Sequence, residues 1–229
     1  MPLAMPHPSI GLKESGFAIV QSVLSETTCI GLDQVLALTP LGHAGSRNLL
    51  GSEWCAALSV RLRGSPALEQ MLKPLVAVQC TYFDKNPEVN WLVSVHQDLS
   101  IPVKARVDGC SLTGWNVKEG HTFVHAPLDV LENLIAVRAH LDDSGPDNGP
   151  LRVVPGSHLL GRLSSDQQAQ RRLDLGDSEC HVPRGGVLLM KPLLLHASSK
   201  AASPRPRRVL HFLYGPKQLP LGLEWAVAV

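Results

Sequence analysis

The chain has 229 residues, 44% of them hydrophobic and 18% charged, which is the balance of a folded domain with a real core and not of a disordered chain. Lys plus Arg number 21 and Asp plus Glu 20, so the formal net charge of +1 leaves no global field to gather nucleic acid, an anionic membrane surface or an acidic partner. Histidine is over-represented: its 10 copies match the Trp 4, Tyr 2 and Phe 4 taken together, a surplus of imidazole that invites a metal or acid–base reading.

Taken in chain order, Met1 to Gly16 has neither a basic start nor an apolar stretch of signal-peptide length, which points to a cytoplasmic protein with no membrane partner. The apolar run Gly186 to Leu195 is too short to span a bilayer and is interrupted by Lys191 and Pro192. Ser25 can cap a helix that carries Cys29, Leu32 and Leu36 on one face, and a second helix is expected from about Ser52 to Leu62, ending before Gly64. Ser65-Pro66 supplies a cap followed by Pro at a first helical position. After residue 76 the helical period fades. Short apolar or alternating segments replace it at Ala77–Phe83, Leu92–Ile101, Leu134–Leu141, Leu151–Pro155, Gly186–Met190, Leu193–His196 and Arg208–Tyr214, each read as a strand. The turn-rich stretch Asp143 to Pro150 is expected to join two of them as a hairpin. Many short strands behind a helical preface suggest a mainly β sandwich or barrel with flanking helices buttressing one face. The expected organisation is a single domain: a helical preface over 1–76, a β core over 77–216 and a tail over 217–229. Cys29, Cys55, Cys80, Cys110 and Cys180 are odd in number and form no CxxC pair, so they read as reduced, mostly buried thiols.

The chemistry is sought where a metal-ligand spacing falls on a strand. In His96-Gln97-Asp98 the imidazole and the carboxylate, two residues apart, point to one face and can reach one ion. Chance alone supplies about one such pair in a chain of this composition, and His140-Leu141-Asp142 is a second, read as a strand running into its hairpin. The downstream residues discriminate between the two pairs. A facial triad for non-haem Fe(II) needs another His from a different strand, and His196, at the end of Leu193-Leu194-Leu195, fits that role. Arg207 opens the next strand and can clamp the far carboxylate of a dicarboxylate, with Arg208 as the alternative, and Ser198 can add a hydroxyl to the same anion.

These residues carry a resemblance. His96-Gln97-Asp98-Leu99, the stretch Asn148 to His158, and His196 with Ser198 and Arg207 occur in the order found in the phytanoyl-CoA dioxygenase family, and the similarity covers about residues 77–216. The resemblance implies a double-stranded β-helix, a jelly roll of cupin-like form, and an Fe(II)- and 2-oxoglutarate-dependent oxygenase. It implies His96, Asp98 and His196 as iron ligands and Arg207 with Ser198 as the holders of the 2-oxoglutarate C5 carboxylate. Dioxygen and a small-molecule substrate are the implied partners, with ascorbate a candidate reductant. Succinate and carbon dioxide are the implied co-products of hydroxylating an unactivated C–H bond. Halogenases of this superfamily leave the carboxylate position to chloride, so Asp98 favours hydroxylation or desaturation. Two departures from better-known members fall near the expected substrate side: the long stretch from Ile101 to Leu134, and Arg138 where an aromatic residue is common.

Several residues keep two readings. The stretch 100–133, with Lys104, Arg106, Trp115, Lys118, His121 and His125, is the candidate lid or pocket wall, and its basic and aromatic content suits a small polar or carboxylate-bearing metabolite. His121 and His125, four apart, would share a face on a helix, but the nearby Pro and Gly argue for loop or pocket residues. His158 reads as fixing a turn. Lys85 and Arg138 are either pocket charges or, more plainly, a solvent-facing Lys and an ion-paired Arg. The reading from another class is a non-catalytic cupin-like protein that binds a metal or small ligand.

Overall fold

A computed structural model describes residues 7–41, 45–86, 88–109 and 111–229. Helices α1 (Pro8–Glu14), α2 (Glu26–Leu38), α3 (Glu53–Arg63) and α4 (Glu69–Leu72) lie in the first third, α5 (Leu128–Asn133) in the middle and α6 (Ser165–Leu175) later. The strands in order are β1 (Phe17–Val20), β2 (Gly45–Ser46), β3 (Val76–Lys85), β4 (Val93–His96), β5 (Ser100–Val103), β6 (Asn116–Lys118) and β7 (His121–His125). They continue with β8 (Ile135–His140), β9 (Leu151–Val153), β10 (Ser178–Cys180), β11 (Val187–Met190), β12 (His196–Ser198) and β13 (Arg207–Gly215). No helix among the described residues is long and apolar enough to cross a membrane.

Helix α2 starts where its cap places it. The Ser25 hydroxyl accepts from the Thr28 amide at 3.2 Å, and Cys29, Leu32 and Leu36 then recur on the buried face. Helix α3 buries Cys55, Leu58 and Leu62 and stops at Gly64. Ser65-Pro66 opens a turn and not a helix: the Ser65 carbonyl takes the Leu68 and Glu69 amides, and regular helix begins only at Glu69.

The strands form two facing sheets and a smaller third. The large sheet runs β1-β11-β8-β13-β3-β2 and the small one β10-β9-β12-β4, while β5-β7-β6 pair separately. Along the chain β3, β8, β11 and β13 go to the large sheet and β4, β9, β10 and β12 to the small one, so the chain repeatedly crosses between them. This is the jelly-roll topology of a double-stranded β-helix. Its consequence appears at Asp143–Pro150: that turn joins β8 of one sheet to β9 of the other and makes no hairpin. Asn148 ties the turn together, accepting from the Gly145 amide and donating to the Asp143 carbonyl. At Gly149, with φ +67°, an added Cβ would lie 2.5 Å from the Ser199 carbonyl oxygen, so only glycine fits the crossing.

The large sheet has two unlike faces. Its outer face presents Cys80, Tyr82, Val137, Ala139, Leu189, Leu210 and Phe212 to α2, α3 and α4 in one apolar cluster. The Tyr214 hydroxyl donates to the Ser59 carbonyl of α3 at 2.8 Å. The first 76 residues are more than a helical preface, because β1 and β2 extend both edges of this sheet. The tail also adds to it, as the Val229 amide and carbonyl pair with those of Ala77. Cys29, Cys55, Cys80 and Cys180 are free and buried, and Cys110 lies outside the described residues.

Two expected strands change form at the place that matters for the site. Leu92–Ile101 breaks after His96: the Asp98 amide donates to the Pro192 carbonyl, and the chain restarts as β5 in the third sheet. Leu193-Leu194-Leu195 is a buried turn and not a strand, held by the Leu194 amide on Lys191 and the Leu195 amide on the Ser157 hydroxyl, and His196 begins β12 where it was expected to end a strand. Burial of an apolar run specifies its depth and not its backbone.

Candidate metal centre and its cavity

Strands β4 and β12 are antiparallel neighbours, and His96 and His196 are directly opposite in their register. Directly opposed residues share a face, so the two rings lie 4.2 Å apart between centroids. Asp98, just beyond β4, swings between them: its Oδ1 is 3.6 Å from His96 Nε2 and its Oδ2 3.6 Å from His196 Nε2. One ligand atom from each of the three lies within 4.8 Å of the others. His96 Nδ1 is 2.9 Å from the Ser94 carbonyl and His196 Nδ1 2.9 Å from the Leu194 carbonyl. A carbonyl only accepts, so each Nδ1 carries the proton and each Nε2 turns a lone pair toward Asp98. The intervening Gln97 faces the other way. Its amide nitrogen donates to the Gly161 and Leu193 carbonyls at 2.8 and 2.7 Å, and its oxygen accepts from the Leu163 amide at 2.9 Å, locking the end of β4.

The electrostatics suit a divalent cation. Burial is the largest influence on His196 and pulls its pKa down to about 4, so its imidazole is neutral. Burial also acts on Asp98, but the adjoining His196 and His96 imidazoles outweigh it and hold the carboxyl well below the usual range. At His96 burial is likewise outweighed, by the adjoining Asp98 carboxylate, and its pKa rises. Two imidazoles and one carboxylate on one side of a pocket are the donor set of a non-haem Fe(II) facial triad.

Across the cavity stands the inner face of the large sheet, where alternation along β3, β8 and β13 points unusual side chains inward. Arg207 is buried, yet its Nε and Nη1 have no hydrogen-bond partner among the described residues. Lys85, opposite Arg207 in the register, is fully buried and not solvent-facing; its Nζ donates to Ser198 Oγ at 3.1 Å and to the Ser199 carbonyl at 2.6 Å. Among the described residues Arg138 has no acidic partner, contrary to the ion pair expected of it, and its Nη1 donates to His211 Nδ1 at 2.9 Å. Burial first, and then the Arg207 and Arg138 charges, depresses the pKa of Lys85 to about 8, and burial followed by the Arg138 charge depresses that of Arg207 to about 9. Arg208, one residue on, faces outward, with Nη2 2.7 Å from Asp142 Oδ1 and Nη1 2.9 Å from Asp33. That commits Asp142 and separates it from His140, which is buried in β8 with both ring nitrogens unpartnered; neither joins the metal cluster.

The cavity between the sheets is about 440 Å³. The segment 100–133 folds as β5, β6, β7 and α5, and contributes Ser100, Lys118, Phe123 and His125 to the wall. Residues four apart share a face on a strand as well as on a helix: His121 and His125 both sit on β7 and not in a loop, with His125 at the cavity wall in keeping with the pocket reading and His121 paired with Lys118. His158 sits away from this cavity, its Nε2 3.2 Å from the Lys13 carbonyl, which suits a turn-fixing residue. Sequence reasoning passed over Gln79, Thr81, Trp91 and His211, which also line the cavity. For Gln79, Thr81 and His211 the signal was polar side chains at alternate positions of otherwise apolar strands, legible only once the inner face is known, whereas Trp91 precedes β4 outside any strand.

Comparisons with known proteins agree with this geometry. The family model for phytanoyl-CoA dioxygenase (PhyH) matches residues 42–209, well over half of the chain. No curated protein sequence gives a significant match. Among solved structures, HygX from Streptomyces hygroscopicus with nickel and 2-oxoglutarate bound is 18% identical with a TM-score of 0.65, over 93% of this chain and 88% of that one. EctD from S. alaskensis in its apoform is 17% identical with a TM-score of 0.70, over 98% and 83% of the two chains. SnoK, a non-heme alpha ketoglutarate dependent carbocyclase from nogalamycin biosynthesis, is 18% identical with a TM-score of 0.61, over 93% and 84%. At such identities the likeness is one of fold, and the match of the family model carries the assignment: the chain belongs to the phytanoyl-CoA dioxygenase family of Fe(II)- and 2-oxoglutarate-dependent oxygenases.

Proposed function

We propose that the protein hydroxylates an unactivated C–H bond of a small polar or carboxylate-bearing metabolite, with His96, Asp98 and His196 as the iron ligands. The observation that carries this is a pair of features facing one cavity: a two-histidine, one-carboxylate cluster, and a buried guanidinium, Arg207, with two nitrogens that nothing among the described residues satisfies. Buried donors without partners are costly, so Arg207 reads as a group waiting for an anion. The orphaned donors and the ligand lone pairs both fit the family's metal and co-substrate.

In this reading the two Nε2 atoms and the Asp98 carboxylate hold Fe(II), which supplies oxidative decarboxylation of 2-oxoglutarate and oxidation of the substrate when bound. Arg207 takes the C5 carboxylate through charge-assisted hydrogen bonds. Ser198, with Lys85 on its hydroxyl, lies on the same face of β12 as His196 and completes that anion site. The Ser94 and Leu194 carbonyls fix both histidine tautomers, and Gln97 fixes the backbone that aims Asp98. The segment 100–133 walls the cavity on the substrate side and keeps water from it.

Anaerobic addition of Fe(II) and 2-oxoglutarate is expected to give a weak visible charge-transfer band, with slow succinate release once air is admitted. Asp98→Ala and His196→Ala lose both signals. Neither band nor succinate in the wild-type protein overturns the assignment of the site. Iron binding without succinate, across a broad substrate panel, favours the non-catalytic cupin-like binder.

A further inference from the structure

The cavity keeps basic groups to spare once Arg207 is given to 2-oxoglutarate. Among the described residues that line it, Lys118, Arg138 and Arg207 are basic with no carboxylate partner, Arg47 is paired with Glu119 at 2.9 Å, and Asp98 is the single carboxylate. Arg207 and Arg138 approach the cavity from different levels of the sheet. His211 is the register partner of Arg138 and lies four residues beyond Arg207 on β13, a run of roughly 13 Å at about 3.3 Å per residue. Arg138 therefore sits at the level of His211, where its charge is felt by Asp98, His96 and His196 as well as by Arg207 and Lys85, which are opposite each other in the register four residues away.

The contact between Arg138 and His211 fixes more than position. A guanidinium has no lone pair to offer, so Arg138 Nη1 must donate and His211 Nδ1 must accept. His211 is then the neutral tautomer with its proton on Nε2, and burial together with the Arg138 charge keeps it neutral by holding its pKa down to about 3. The pair thus presents donors only. Arg138 is more than nine-tenths buried, its Nε has no partner, and its guanidinium stacks 5.4 Å from the centre of the Phe83 ring, which holds it in place.

We propose that Arg138 and His211 form a second oxyanion subsite beside the candidate iron centre, which takes a carboxylate of the primary substrate while 2-oxoglutarate is held at Arg207. The subsite presupposes that the protein is an Fe(II)- and 2-oxoglutarate-dependent oxygenase, and it narrows the substrate to an acid. Arg138 is then a specificity-determining residue: it selects among substrates by charge and sets which carbon lies over the metal.

The test loads the full chain anaerobically with Fe(II) and 2-oxoglutarate and titrates a matched pair of probes, hexanoate and hexanamide, by calorimetry while the visible band is monitored. Wild-type protein is expected to bind hexanoate at least about tenfold more tightly than hexanamide, the margin of a charged over a neutral hydrogen bond, with the band retained. Arg138→Met erases that preference and leaves 2-oxoglutarate affinity within about threefold of wild type, and Arg138→Lys restores part of the preference. His211→Phe keeps the packing against Phe83 and lowers the preference as well, so the outcome does not hang on one variant. Equal binding of the two probes by wild type overturns the subsite. So does a loss of 2-oxoglutarate affinity in Arg138→Met as large as that in Arg207→Met, or displacement of the band by hexanoate. Failure of the oxygenase assignment looks different, as no band forms at all. The probe titration is then read on the metal-free protein, where the subsite still predicts a hexanoate preference that Arg138→Met removes and Arg207→Met keeps; its absence there overturns the subsite too.

Discussion

Replacing Arg207 by Met should weaken 2-oxoglutarate binding and, at the same time, stabilise the ligand-free protein. In the fold Arg207 is buried beside Lys85 and Arg138, with no carboxylate to pair with and with Nε and Nη1 unsatisfied. Truncating one partner of a buried charge pair typically costs about 2–5 kcal/mol, equivalent to about 30-fold to several-thousand-fold in affinity for the dianion. The same buried cation without its anion is a liability. Exchanging such a group for an apolar side chain of similar volume is neutral to stabilising, by about 1–3 kcal/mol, and in a chain of this size that is about 2–12 °C in melting temperature. The assay is a pair of thermal melts with and without saturating Fe(II) and 2-oxoglutarate, alongside a titration of the visible band. The expected pattern is a higher Tm for the bare variant, a smaller ligand-induced rise and a weaker apparent affinity with iron binding retained. A bare variant that melts well below wild type would mean that Arg207 is satisfied within the protein, and an unchanged 2-oxoglutarate affinity would move the carboxylate clamp elsewhere.

Gln97→Leu removes the side chain that bonds Gly161, Leu193 and Leu163, leaving the buried Leu193 carbonyl and two half-buried backbone groups unpaired. A loss of about 2–4 kcal/mol and a weaker affinity for Fe(II), measured by denaturant unfolding and metal titration, is expected; unchanged metal affinity would show that Asp98 is aimed without it. The pH dependence of the ligand-free protein arises from bases whose folded pKa lies below the unfolded one. Burial, then Arg207, lowers Lys85 to about 8, so the unfolded chain binds more protons above that value, and stability should rise between about pH 8 and 10.5. At the acid end burial depresses His140, and His211 is lowered to about 3, so stability should fall as pH drops below about 6.5. Urea melts across that range check both limbs, and flat profiles would mean these groups titrate as if exposed.

The sequence by itself determined what local chemistry and periodicity encode. It carried the cap and apolar face of α2, the extent of α3, the His-x-Asp pair, and a distal histidine with an arginine eleven residues beyond it. Those are short-range patterns, and their order along the chain was enough to point to the family. Tertiary structure decided which face and which sheet each residue joined, because a strand's period of two leaves the choice of inward side to its partners. Arg207 and Arg208 are neighbours with equal charge, yet β13 turns one into the cavity and hands the other to Asp142 and Asp33. Lys85 and Arg138 looked like ordinary surface or paired charges, since nothing in their local sequence marks burial; only the register of β3, β8 and β13 gathers them with Arg207. The turn at Asp143–Pro150 and the break after His96 were likewise invisible, because a crossing between sheets and a hairpin use the same residues. Charge that looked balanced along the chain became a cavity with one carboxylate and several cations once the two sheets faced each other.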